Sequence, residues 1–130
     1  MKNLQITSLN ETSRPWGIYE VFHEEPGWKI KRITVHPGKR LSLQKHKHRS
    51  EYWTIIDGFG IANVGFGSFN VSKGSILSID PNQIHRIKNI GKKNLTFIEV
   101  QLGNYLGEDD IERIEDDFGR ALEKGDPTHD

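Results

Sequence analysis

Four side chains that can bind a metal ion lie within eight residues of each other, in the segment Gly38–Gly58 (GKRLSLQKHKHRSEYWTIIDG). They are Gln44, His46, His48 and Glu51. Alternate side chains of an extended chain point to the same face, so the first three can converge. Glu51 opens a second alternating strand, and two antiparallel strands can aim their donors at one point. Such a mixed nitrogen and oxygen set suits Zn, Mn, Fe, Co or Ni.

A further donor, His85, lies downstream in the segment DPNQIHRIKN. The spacing of Gly38, Gln44, His46, Glu51 and Gly58 resembles the first motif of the cupin superfamily, with Gln44 at the position of the usual first histidine. The segment from Gly74 through Asp80-Pro-Asn82 and His85 to Asn89 resembles the second cupin motif. It has Asp80 and Asn82 where that motif usually has proline and glycine. Asparagine tolerates a positive φ, so we expect the turn to be preserved.

Further segments narrow the resemblance to one cupin family, the type II mannose-6-phosphate isomerases. In that family, the domain commonly follows a mannose-1-phosphate guanylyltransferase domain. The match covers roughly residues 14 to 120, and the joint order of the segments supports it more than any single one. The matching segments are Arg14-Pro-Trp-Gly17, Lys31-Arg-Ile-Thr34, Leu41-Ser-Leu-Gln44, His46, His48-Arg49, Glu51, Trp53, Ile98-Glu-Val-Gln101, Tyr105–Ile111 and Phe118-Gly-Arg120.

The resemblance implies one divalent ion, Zn or else Mn, Co, Ni or Fe, held by Gln44, His46, Glu51 and His85. A set with His48 in place of Gln44 stays open. The usual motif has three or four residues between its second histidine and the glutamate. Four residues separate His46 from Glu51 and two separate His48 from it, so we expect His46 to be the ligand and His48 to lie close by, behind the ligands or against the substrate.

The candidates for substrate binding and proton transfer come from alternation and from the family match. Lys31 alternates with Ile33 and Val35, so it is expected inside the barrel, where a lysine needs a partner or a function. Glu99 is a candidate acid or base if it faces inward and a surface residue otherwise. Arg14 and Arg120 are assigned to the substrate only by the resemblance. The other arginines, Arg32, Arg40, Arg49, Arg86 and Arg113, are expected on surfaces or at the rim.

Composition excludes several classes of protein. The chain of 130 residues has 18 Lys and Arg against 18 Asp and Glu, a net charge of zero. It therefore has no net positive charge that would attract a nucleic acid or an anionic membrane. It contains no cysteine, which excludes disulfides and thiolate ligands. No apolar run reaches the roughly 18 residues of a membrane span, and residues 1–13 do not resemble a secretion signal. We therefore expect a cytoplasmic protein.

Alternating segments separated by Gly- and Pro-containing turns predict an all-β fold, a jelly-roll barrel such as the cupin double-stranded β-helix. We expect one cupin domain over residues 1–130, with an N-terminal arm or edge strand (1–13), a barrel (14–106) and a C-terminal tail (107–130). For the tail we favour a short strand around Ile111–Glu115 followed by a helical turn or two. The nine predicted barrel strands are Ile18–Phe22, Trp28–Val35, Leu41–His46, Glu51–Asp57, Gly60–Val64, Phe69–Ser72, Ile76–Ile79, Ile84–Lys88 and Leu95–Gln101.

The resemblance implies a metal-dependent interconversion of mannose 6-phosphate and fructose 6-phosphate, with Lys31, His48, Glu99 and Arg120 as candidate catalytic groups and Arg14, Lys31 and Arg120 as candidate substrate ligands. Two alternatives remain: a non-catalytic sugar- or metal-binding cupin, and a redox cupin such as a dioxygenase. Cupins of this sort often form dimers, so a homodimer is expected. The residues do not decide the metal, the catalytic base or the physiological sugar.

Overall fold

The computed structural model describes residues 11–119, which form eleven strands and one short 3-10 turn. This turn, η1, spans Glu108–Asp110 and directly precedes the last strand. The strands are β1 (Glu11–Arg14), β2 (Gly17–Glu25), β3 (Trp28–Val35), β4 (Leu43–His46), β5 (Arg49–Asp57), β6 (Phe59–Val64), β7 (Gly67–Ser72), β8 (Ile76–Ile79), β9 (His85–Asn89), β10 (Leu95–Gly103) and β11 (Ile111–Glu115).

The strands form two antiparallel sheets. One has the order β1-β2-β3-β10-β5-β8 and the other the order β11-β4-β9-β6-β7. The apolar core includes side chains of both sheets, such as Ile33, Ile55 and Phe97 of the first and Ala62 and Ile87 of the second. The two sheets therefore pack face to face around one core, as the predicted jelly-roll barrel requires.

Each of the nine predicted barrel strands is present, with bounds shifted by at most three residues at either end. Strand β1 pairs with β2 at the edge of its sheet and overlaps the predicted arm or edge strand (1–13), which agrees with the second alternative for residues 11–13. Residues 1–10 of that arm lie outside the described residues. The predicted strand Ile111–Glu115 is confirmed as β11, but it pairs with β4, so this part of the predicted tail belongs to the barrel. The helical turn is absent from the described part of the tail that follows: Asp116–Gly119 forms a hydrogen-bonded turn, and the rest of the tail is not described.

Two turns fix the strands that supply the candidate ligands. At Pro37-Gly38, the amide of Lys39 donates to the carbonyl of His36 at 3.1 Å and Gly38 has φ 77°, as in a type II turn. At Pro81-Asn82, Asn82 has φ 65° and its amide donates to the carbonyl of His46 at 2.6 Å. The second turn therefore preserves the expected conformation without glycine, and it links the segment before β9 to the end of β4.

Candidate metal centre

The inward side chains of three neighbouring strands change from apolar to charged along the barrel. Strands β3, β10 and β5 pair in register, so their inward residues form rows across the sheet. One row contains Ile33, Phe97 and Ile55. The next two rows are polar except for one tryptophan: Lys31, Glu99 and Trp53, then Lys29, Gln101 and Glu51. All six of these residues are buried, so one end of the barrel interior is charged and the other apolar.

His46, Glu51 and His85 meet at this polar end. Each of the three side chains is 2–3% exposed. One potential ligand atom from each residue lies within 4.8 Å of those of the other two. They come from β4, β5 and β9, so both sheets contribute. The imidazole rings of His46 and His85 have centroids 5.2 Å apart. The structure thus brings together three of the four predicted ligands through residues that are up to 39 positions apart in sequence.

His85 is oriented as a metal-binding histidine usually is. Its Nδ1 lies 2.8 Å from the backbone carbonyl of Gln83. A carbonyl can only accept, so Nδ1 bears the ring proton and the lone pair of the ring lies on Nε2. That Nε2 faces Oε1 of Glu51 at 3.7 Å. The fourth predicted ligand, Gln44, is 3% exposed, pairs with His85 across the β4–β9 ladder and lines the same cavity.

Arg49 lies between the carboxylate and one of the histidines. Its Nε and Nη2 approach Oε2 of Glu51 at 2.9 and 2.8 Å, and Nη2 also lies 2.8 Å from Nε2 of His46. A guanidinium can only donate, so the imidazole accepts at Nε2 and bears its proton on Nδ1, which faces Oε2 of Glu51 at 3.4 Å. An ion bound at that Nδ1 would require the proton to move to Nε2, which would release Arg49 from this hydrogen bond.

Burial and charge keep the two clearest ligands in their metal-binding protonation states. Burial lowers the pKa of His46 well below its ordinary value, and the charge of Arg49 lowers it further, so the ring is neutral. Burial alone would raise the pKa of Glu51, but the charge of Arg49 is the largest opposing effect, and that pKa lies well below its usual range. The site therefore offers a neutral imidazole and a carboxylate without loss of a proton to solvent.

Glu99 has the opposite electrostatic environment. Burial raises the pKa of Glu99 to about 8, and the neighbouring charge of Glu51 contributes in the same direction, against the charges of Lys31 and Arg49. Its Oε2 accepts a hydrogen bond from Nε2 of Gln101 at 2.6 Å. Two carboxyl groups in one cavity therefore differ in their affinity for a proton, one low and one high, which is a common feature of acid–base sites.

The donor set and the space fit a divalent ion. In a tetrahedral zinc site with bonds of about 2.1 Å, ligand atoms are roughly 3.4 Å apart. The carboxylate oxygens of Glu51 lie 3.4 and 3.7 Å from ring nitrogens of His46 and His85. The cavity that Glu51, His85 and Gln44 border measures about 20 Å³, and about 10–15 Å³ suffices for a water molecule. His46, Glu51 and His85, with Gln44 beside them, would hold the ion.

The other predicted site residues have different positions. Lys31 and Glu99 line the cavity, as the inward alternation of their strands suggested. Arg14 lies on the edge strand β1, where it donates to the hydroxyl of Tyr19 at 3.3 Å and does not line the cavity. His48 is exposed in the bend between β4 and β5, its ring against Tyr105. That position argues against the alternative ligand set with His48 and gives no support to His48 as a base. Arg120 lies outside the described residues.

The expectation that Arg49, Arg86 and Arg113 lie at the surface or the rim is wrong. Their exposed fractions are 4%, 5% and 3%. Arg49 continues the two-residue period of Glu51, Trp53 and Ile55 and pairs with Gly103 across the β5–β10 ladder, so the alternation of β5 predicts its inward position. Glu108, which contacts both Lys31 and Arg49, had no such signal because it lies in an irregular segment.

Comparisons with known proteins agree with this geometry. The family model described as "Mannose-6-phosphate isomerase C-terminal" matches residues 2–116. The alginate biosynthesis protein AlgA of Pseudomonas aeruginosa is 44% identical over 129 residues, which cover 95% of this chain and 27% of that protein. A mannose-1-phosphate guanylyltransferase of Klebsiella pneumoniae is 41% identical over 111 residues, which cover 85% of this chain and 24% of that protein.

The chain thus spans about a quarter of the length of these two relatives. Among solved structures, a double-stranded β-helix protein of unknown function from Klebsiella pneumoniae superposes with a TM-score of 0.68 at 24% identity, over 78% of this chain and 86% of that one. That likeness shows the fold. Within the described residues, no helix is long and apolar enough to cross a membrane. With the family model matched from residue 2 to residue 116, the chain belongs to the mannose-6-phosphate isomerase C-terminal family and has its cupin double-stranded β-helix fold.

Proposed function

We propose that this protein is a metal-dependent aldose–ketose isomerase that interconverts mannose 6-phosphate and fructose 6-phosphate. The observation that supports this most directly is the buried cluster of His46, Glu51 and His85 with Lys31 and Glu99 on the same cavity wall. Membership of the mannose-6-phosphate isomerase family supports the choice of substrate. The name of the alginate biosynthesis relative favours a place in polysaccharide synthesis.

The difficulty of the reaction is the weak acidity of the C–H bond next to the sugar carbonyl. A divalent ion in this site would polarise that carbonyl, an effect of several kcal/mol. A positioned base adds roughly a further 10²–10⁴-fold. Glu99 and Lys31 are the candidates that line the cavity. We assign proton transfer to this pair, and Lys31 is also a candidate for contact with the phosphate.

The test is turnover by the purified chain after chelation and reloading with Zn, Mn, Co, Ni or Fe(II) in turn. Incubation with mannose 6-phosphate in D₂O, followed by NMR, reports both fructose 6-phosphate and exchange of the C2 proton. We expect product and exchange with at least one ion and neither with His46→Ala. Glu112→Gln is the matched control, because Glu112 pairs with Lys45 on the outside of the barrel.

The outcome also separates the alternatives. Retained binding of mannose 6-phosphate without turnover by any ion would favour a non-catalytic binding module. Oxygen uptake that depends on Fe(II) would favour a redox cupin. The homodimer is likewise a proposal, and light scattering after size-exclusion chromatography would test it. Exposed Tyr52, Ile56 and Ile76 on the outer face of β5 and β8 are compatible with such an interface.

A further inference from the structure

An irregular segment contacts two of the cations that line the metal cavity, Lys31 and Arg49. The strap, defined here as residues 104–110, connects β10 to β11 and includes the 3-10 turn Glu108–Asp110. Lys29 donates from Nζ to the carbonyl of Leu106 at 3.1 Å. The carboxylate of Asp110 accepts from the amides of Lys47 and His48 at 3.2 and 2.9 Å. Beyond these two anchors, Glu108 of the strap contacts Lys31 and Arg49, two residues of the cavity lining.

Two buried cations converge on the carboxylate of Glu108. The ammonium of Lys31, 2% exposed, forms a short ion pair with Oε1. Arg49 already uses Nε and Nη2 on Glu51, and its Nη1 lies 3.6 Å from Oε2 of Glu108. Among residues 11–119, neither this Nη1 nor this Oε2 has a hydrogen-bond partner. The pairing of Glu108 with Arg49 is therefore loose, and both groups keep capacity for a better partner.

The cavity next to these cations has no room for a sugar phosphate as it stands. It measures about 20 Å³, against the roughly 300–1,000 Å³ of typical small-molecule sites. The residues that line it lie on paired strands, apart from Leu41. The strap also borders an open hollow of about 450 Å³, which is lined in addition by the β2–β3 turn at Pro26-Gly27. The strap, which carries Glu108, is thus the segment beside these cations that can move without breaking the pairing of the strands.

We propose that Lys31 and Arg49 form a subsite for the phosphate group of a phosphate monoester, and that Glu108 occupies this subsite until the phosphate displaces it. An ammonium and a guanidinium nitrogen that share one carboxylate can equally share a phosphate, which offers more oxygens and more negative charge. Glu108 is then a built-in competitor that lowers the apparent affinity for the ligand. The identity of the ligand as a sugar phosphate rests on the proposed function, whereas affinity for phosphate itself does not.

The experiment is titration calorimetry of the full chain with inorganic phosphate, with and without prior chelation of metal. Glu108→Gln removes the competing charge and nearly preserves the side-chain shape. We expect it to bind phosphate about tenfold more tightly than the unchanged protein, an effect of about 1.4 kcal/mol. Asp109→Asn is the matched control, because Asp109 lies in the same strap and contacts Tyr105 instead of the cations. It should bind phosphate as the unchanged protein does.

The double variant Lys31→Met/Glu108→Gln tests where the phosphate binds. It removes both members of the ion pair, so no buried charge is left alone by the change, and circular dichroism confirms the fold. We expect it to lose the tenfold gain. The subsite is refuted if Glu108→Gln binds phosphate no more tightly than Asp109→Asn. It is also refuted if the gain persists in the double variant, or if chelation abolishes phosphate binding in every variant, since the phosphate would then bind the ion.

These results are independent of the isomerase assay. A gain in Glu108→Gln that depends on Lys31 supports the subsite even if no ion supports turnover of mannose 6-phosphate, in which case the proposed function alone fails. Turnover by the unchanged protein together with equal phosphate affinities in all variants refutes the subsite alone.

Discussion

Replacing Glu51 by glutamine should separate the structural role of this residue from its role as a metal ligand. Glu51 is 2% exposed, and its Oε2 receives two nitrogens of Arg49 at 2.9 and 2.8 Å. Removal of one partner of a buried ion pair costs about 3–5 kcal/mol because the other charge stays buried. Arg49 would keep its hydrogen bond to Nε2 of His46 and, as its one contact with an opposite charge among the described residues, the 3.6 Å approach to Glu108, a partial compensation. We therefore expect Glu51→Gln to lower the free energy of unfolding by about 3 kcal/mol.

Urea denaturation in the presence of a chelator measures this loss without any contribution from metal. Glu112→Gln, on the surface, should change the free energy of unfolding by less than about 0.5 kcal/mol. The double variant Arg49→Met/Glu51→Gln removes both charges and should recover most of the loss, since neutral replacement of a buried pair is often tolerated. The reasoning is refuted if the single variant loses less than about 1 kcal/mol, or if the double variant is as unstable as the single one.

Metal affinity should follow a different pattern in the same variants. The double variant regains stability, but it still lacks the carboxylate that faces His46 and His85. Removal of a residue that only hydrogen-bonds to a metal ligand already lowers metal affinity by about 10–100-fold. Loss of the ligand itself should therefore lower the affinity by more than about 100-fold in both variants. Elemental analysis after dialysis against a defined metal concentration would show this, and full occupancy of the stable double variant would exclude Glu51 as a ligand.

Three further outcomes are expected. His85→Ala should lose bound metal in the same elemental analysis and His48→Ala should keep it, because only the first side chain lies in the cluster; equal metal content in both would contradict this placement. Gly103→Ala should cost about 1–3 kcal/mol in urea denaturation, since its Cβ would overlap the carbonyl oxygen of His48, whereas Gly91→Ala, with neighbours no closer than 3.6 Å, should be tolerated. The hydrogen bond with Arg40 lowers the pKa of Asp117 in the folded protein. The Asp117 carboxylate therefore contributes fully to stability above its ordinary pKa, and this contribution is lost as the pH falls through the lowered pKa. The difference in stability between the unchanged protein and Asp117→Asn should shrink between pH 5 and pH 3, and a constant difference would refute the assignment.

Much of the barrel could be predicted from the sequence because alternation and turn residues are local signals. Strands Trp28–Val35 and Ile76–Ile79 were predicted with their observed bounds. Alternation is a weaker signal near the ends of the chain for a physical reason, although the strand Ile111–Glu115 was predicted. The edge strand Glu11–Arg14 and the strand Ile111–Glu115 are short and half exposed, so their patterns contain few buried positions. Their pairing with β2 and β4 is a tertiary interaction that local sequence does not encode.

The metal centre was predictable to the extent that its ligands lie on strands. His46, Glu51 and His85 could be inferred from motif spacing, and Lys31 from the alternation of β3. The position of His48 could not be read from alternation, because β4 ends at His46 and the alternation does not continue through the bend that follows. Glu108 could not be inferred because its position depends on the path of the strap over the barrel end. The same limit applies to the subsite, since it requires the register between β3, β5 and the strap.

The charged rows of the barrel interior are costly for stability, and that cost is itself an argument for function. In the row next to them, Ile33, Phe97 and Ile55 show that these three strands can pack apolar side chains inward. Replacing buried ion pairs by such residues is often neutral or stabilising, so folding alone would not require Lys31 and Glu99 at the next positions. Perturbed ionisable groups that face a cavity are more typical of chemistry than of structure. The division of one continuous barrel interior into an apolar half and a charged half therefore favours a reaction site over a stray remnant of the fold.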